Sequence, residues 1–158
     1  MRWAALFAGV SAIAFPLAAA AADGEVSVAQ GRHVSIIGGC HDCHTANYNE
    51  SGGQIDPDTA LKGIAFGWRG PWGTTYAKNL RITVQDMSED QWVEFAKTFK
   101  TRPPMPFYNV HEMTESDLRS LYLYIKSLGE AGEPVPAALA PDQEPTTPYV
   151  TMAPPTMP

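Results

Sequence analysis

The chemistry of this chain is concentrated in Cys40-His41-Asp42-Cys43-His44. Two thiols three positions apart fall on one face of a helical turn, so both sulfurs can reach the two vinyl groups along one edge of a porphyrin. The histidine directly after the second cysteine can then rise over the ring plane and give an imidazole nitrogen to iron. Cys-x-x-Cys-His is the attachment signature of one haem c held covalently through two thioethers. Three other chemistries use paired cysteines and fit less well. A redox-active dithiol wants a strand-helix-strand setting, and the residues around position 40 offer none. A structural zinc site needs four ligands, and His33, His41, His44 and His111 do not form the second half of one. A disulfide across a two-residue gap closes too small a loop to restrict the unfolded chain, and it leaves His44 unexplained.

Iron held by His44 keeps a sixth position, and its occupant decides between electron transfer and small-molecule chemistry. Beyond residue 22 the methionines are Met87, Met105, Met113, Met152 and Met157. Met87 and Met113 precede helix caps and read as packing staples, while Met152 and Met157 sit in an unpatterned tail. Met105 lies in Arg102-Pro103-Pro104-Met105-Pro106-Phe107, where no helical packing explains a flexible thioether and flanking prolines stiffen the backbone around it. Metal-ligand candidates are therefore His44 and Met105. If the position were open, His111 would be the one acid-base group available for peroxide or nitrogen-oxide chemistry. No residue set elsewhere resembles a catalytic constellation. Trp68, Arg69 and Trp72 suit the haem propionates, since a guanidinium or indole N–H matches a carboxylate. The alternative is a simple turn over residues 67–73 with packed indoles.

The elements that must position these groups announce themselves by capping. Ser27 with Gln30 and Ser88 with Gln91 read as capping boxes, and Thr114 with Asp117 as a shortened one. They predict helices over about 27–38, 88–101 and 114–128. Trp92, Phe95, Ala96 and Phe99 share one face of the second, and Leu118, Leu121, Tyr122, Ile125 and Leu128 one face of the third. Residues 45–79 are irregular and glycine-rich, a length accounted for by wrapping a cofactor. The alternation in 80–85 reads as an extended connection. His33, His41 and His111 read as solvated or capping side chains. Residues 131–158 hold eight of the 14 prolines and read as an extended tail, lying on the domain or mobile, with Tyr149 and Val150 as a candidate docking peptide.

Met1-Arg2-Trp3, an apolar stretch to Leu17 and small residues to Ala22 read as a signal peptide over 1–22, which predicts export to the periplasm and no membrane span after cleavage. Residues 23–130 then form one domain. Without Arg2, 10 basic side chains face 17 acidic ones, a formal charge of −7. That balance excludes nucleic acid as a partner and suits steering toward a complementary redox protein.

The order of the Cys-x-x-Cys-His run, Met105-Pro106 in a late loop and a final amphipathic helix resembles class I cytochromes c. Tyr76-Ala77-Lys78-Asn79-Leu80, Ser88-Glu89-Asp90, Pro104-Met105-Pro106 and residues 113–118 are similar to the single-haem modules in cytochrome subunits of periplasmic alcohol and sugar-acid dehydrogenases. The resemblance covers roughly residues 27–128. It implies an all-α cytochrome c-type fold, a few helices wrapped around a covalent haem with long irregular loops. It also implies His44 and Met105 as proximal and distal ligands, a hydrogen bond from Asn79 toward the methionine side, and contact of the first and last helices through Gly31 and Tyr124. Partners would be a dehydrogenase donor and an oxidase-type acceptor, met as a free shuttle or as a tethered subunit. Arg81 departs from those modules, which place an aliphatic residue, Thr and Pro after the asparagine.

Overall fold

A computed structural model describes residues 24–154; the expected signal peptide over 1–22 lies outside them. The three helices expected from capping are present as α1 (Val28–Ile37), α4 (Glu89–Thr98) and α6 (Glu115–Ser127). Between and after them lie α2 (Cys40–His44), β1 (Gly67–Gly70), β2 (Gly73–Tyr76), α3 (Leu80–Gln85), α5 (Phe107–His111) and β3 (Tyr149–Thr151). Ser88 forms the full capping box, its hydroxyl accepting from Gln91 N while the Gln91 side chain returns to Ser88 N. Ser27 caps α1 only by half: its hydroxyl accepts from Gln30 N, but the Gln30 amide donates instead to Asp117 Oδ1 at 3.0 Å, tying α1 to the start of α6.

The core forms where α3, α4 and the loop before α3 pack on α6. Leu61, Val84, Trp92, Ala96, Leu118, Leu121, Tyr124 and Ile125 bury together, with Met87 and Met113 packed on their edge as the staple reading requires. The α1–α6 crossing is close because residue 31 has no side chain. A Cβ there would stand 1.9 Å from the Ser120 carbonyl oxygen and 2.8 Å from Tyr124 Cβ. Trp92 completes the α4–α6 contact by donating Nε1–H to Leu118 O at 2.8 Å.

Two features depart from the sequence reading. Residues 80–85 form a helix, not an extended connection, because Asn79 caps it by accepting from Ile82 N and because Arg81 and Val84 bury on one side. A six-residue segment is too short for its alternation to be separated from a single buried helical face. The fold is also not purely all-α. β1 and β2 form an antiparallel hairpin around Pro71-Trp72, with Gly70 opposite Gly73. β3, from the tail, adds parallel to β1, giving the order β2-β1-β3. Among the described residues the fold is largely helical, with six helices and this small sheet.

Arg81 explains its own departure from the resembling modules. It is 4% exposed and donates only to carbonyls: Nε to Ala60 O, Nη1 to Leu128 O and Glu130 O, Nη2 to Pro57 O. A cation at the end of α6 answers the unpaired carbonyls there and simultaneously pins the long loop before it.

Candidate functional site

Gly39, in a left-handed conformation, breaks α1 from α2 and starts the turn that carries Cys40, Cys43 and His44. Both cysteines are half-buried and they form no disulfide with each other. Burial pushes Cys40 up to about 11 and raises Cys43 as well, with Asp42 adding to both. Raised thiols are the opposite of what a redox-active pair needs. Among the described residues no three His, Cys, Asp or Glu side chains converge to hold a metal ion, so the zinc reading finds no support.

His44 is buried, and its Nδ1 stands 2.6 Å from Lys78 O. A carbonyl only accepts, so Nδ1 carries the proton and Nε2 keeps its lone pair free. That is the second-sphere arrangement that orients an imidazole for coordination. Burial also holds His44 below its usual range, keeping the ring neutral.

His41 differs from its expected solvated state: it is 0% exposed. Its Nε2 is 3.0 Å from Ser35 Oγ and its Nδ1 2.7 Å from Thr45 Oγ1. Ser35 spends its hydroxyl hydrogen on Arg32 O at 2.7 Å, so His41 must donate from Nε2. Nδ1 then accepts from Thr45, whose oxygen takes the Leu61 amide at 2.9 Å. This chain of hydrogen bonds locks the turn between α1 and the loop that follows it. Sequence reasoning missed it because the partners lie on three different segments.

Met105 is half-buried in the loop between α4 and α5, with Phe107 N donating to its carbonyl at 2.9 Å. Met113 has a packing position. Its methyl carbon and Cys40 Sγ both border the space beside Gly38. His111 donates Nε2–H to Phe99 O at 2.9 Å and packs against Phe99 and Phe107, which gives it a packing role between α4 and α5. His33 is exposed, as expected.

Of the remaining candidates, Trp72 folds its indole over Gly70, and its Nε1–H is buried without a partner. Thr74 and Thr75 of β2 likewise carry buried hydroxyls without partners. An unpaired buried donor is costly, and Trp72 Nε1–H suits a porphyrin carboxylate; Thr74 and Thr75, adjacent on one strand, point to opposite faces, so one of them at most shares that side. Arg69 turns away to the tail: Nη1 donates to Gln143 O at 2.5 Å, and Nη2 meets Glu144 at 3.0 Å and Pro141 O at 3.4 Å. Asn79 spends its amide hydrogens on Ala131 O and Glu133 O at 2.7 and 3.1 Å, not on the methionine side.

The family model described as Cytochrome c matches residues 28–129. Comparison with curated proteins gave no match. Comparison with solved structures also gave none.

Proposed function

The chain belongs to the cytochrome c family, and from that premise we propose that it is a monohaem carrier of single electrons in the periplasm, with His44 and Met105 as axial ligands. The family and the two cysteines at 40 and 43 together imply covalent haem c and electron transfer. One observation carries the ligand reading on the proximal side: His44 Nδ1–H is fixed on Lys78 O, which leaves Nε2 as the free donor.

The bound haem supplies an iron that takes up and releases one electron. The chain's own residues do the rest. Cys40 and Cys43 anchor the ring edge through thioethers, and the His41 lock keeps their turn from shifting. Met105 offers a soft thioether from a backbone stiffened by Pro104 and Pro106, so the sixth position changes little between oxidation states. Thioether ligation favours the ferrous form and raises the potential over two imidazoles. Trp72 Nε1–H, with one of the two threonine hydroxyls of β2, would meet a propionate. A thioether at the sixth position would favour a carrier over an enzyme.

For partners, we read a dehydrogenase-type donor and an oxidase-type acceptor. A formal charge of −7 on residues 23–158 favours complexes with positively charged faces. Among the described residues no helix is long and apolar enough to cross a membrane.

Near-infrared spectroscopy of the ferric holoprotein tests the ligand set, with Met105→Ala and Met113→Ala beside wild type. The sulfur-to-iron charge-transfer band should be present in wild type and Met113→Ala and absent in Met105→Ala. Loss of the band in Met113→Ala alone would reassign the ligand.

A further inference from the structure

We propose that the C-terminal tail is a brace for the sixth-ligand loop, with Arg102 as the positioning residue that joins the two. The tail lies almost wholly beyond the family match, which ends at residue 129. It is nonetheless bonded into the domain along its length. Asn79 holds Ala131 and Glu133, Leu139 exchanges backbone hydrogen bonds with Thr74 at 2.9 and 3.1 Å, and Arg69 holds residues 141–144. Tyr76 and Thr147 hydroxyls meet at 2.8 Å, and β3 pairs with β1.

These bonds converge beside the loop. Arg102 Nη1 donates to Trp72 O at 2.8 Å and to Leu139 O at 2.9 Å, so hairpin turn, tail and loop meet at one nitrogen. Gly73 makes the meeting close. Its φ is +96°, and a Cβ there would stand 2.1 Å from Leu139 O and 3.1 Å from Arg102 Nη1.

The loop has little else to hold it. Its far end is fixed at α5, where Lys97 donates to His111 O and Met113 O. Among the described residues, the only hydrogen bonds reaching residues 100–106 from distant parts of the fold pass through Arg102. Two residues separate Arg102 from Met105, both of them prolines with locked φ, so a fixed guanidinium restricts where the methionine sits. Releasing the brace frees the near end of the loop and lets the thioether leave the sixth position.

This inference rests on the Met105 reading for its functional consequence, and the test separates the two. Arg102→Gln and Gly73→Ala are made in the full-length holoprotein, with Arg102→Lys as the conservative control. Hydrogen exchange is measured at the amides of Thr74, Leu139 and Phe107, which donate to Leu139 O, Thr74 O and Met105 O, and carbon monoxide binding is measured on the ferrous protein. Both disruptive variants should exchange those amides, and bind carbon monoxide, at least about tenfold faster than wild type, with helix content unchanged and Arg102→Lys close to wild type. Unchanged exchange at these amides in both variants overturns the brace. Faster exchange with carbon monoxide binding already rapid in wild type upholds the brace and overturns Met105 as ligand. Gly73→Ala carries a backbone clash, so where it fails to fold Arg102→Gln, which alters an exposed side chain, decides the matter alone.

Discussion

At the scale of single residues, His41 shows how a side chain inside the attachment turn has a structural task. It is buried and neutral, and burial with the nearby charge of Arg32 lowers it from the usual 6.5 to about 4. The unfolded chain therefore binds a proton between those values that the folded chain refuses. Stability from this group is complete above about pH 6.5 and declines as pH falls toward 4, by on the order of 3 kcal/mol at most. We expect urea midpoints of wild type to fall more steeply from about pH 7 to about pH 5 than those of His41→Asn. Equal slopes would show that His41 is not buried neutral. The Cys-x-x-Cys-His spacing of Cys40, Cys43 and His44 is legible in the sequence because it is local. The His41 lock was not, since Ser35, Thr45 and Leu61 meet it only once the chain has folded.

At the scale of elements, helix ends were legible because capping is local, and α1, α4 and α6 begin where Ser27, Ser88 and Thr114 place them. Thr114→Ala removes the hydroxyl that accepts from Asp117 N and should cost about 1 kcal/mol in denaturant unfolding. The α1–α6 crossing is more demanding. Gly31→Ala drives a methyl into the Ser120 carbonyl, and calorimetry should show a loss of about 3 kcal/mol or more. A loss under about 0.5 kcal/mol would mean the helices slide apart at little cost. The β1–β2 hairpin was hidden in a glycine-rich stretch. Gly70-Pro71-Trp72-Gly73 is a turn signal, but the third strand that stabilises the hairpin comes from the tail, more than 70 residues away in sequence, and no local pattern reports it.

At the scale of the whole molecule, the proline-rich tail was read as lying on the domain or mobile, and it lies on the domain through residue 152. Proline content described its extended conformation correctly but not its contacts, which depend on Arg69, Tyr76, Asn79 and Arg102. Overall charge sets how the protein meets its partners. A surplus of acid predicts that electron exchange with a cationic mediator is faster than with an anionic one of similar potential, and that raising the salt narrows the gap. Stopped-flow measurements across ionic strength would show this, and a salt-independent ratio would count against steering. The central claim is that this chain moves one electron through a six-coordinate centre. Its most direct test is a potentiometric titration of the purified holoprotein, followed by exposure of the ferrous form to carbon monoxide. The account predicts a single reversible one-electron wave and a ferrous spectrum that carbon monoxide leaves unchanged. Rapid carbon monoxide uptake by the wild-type protein, with catalytic turnover of peroxide, would contradict it.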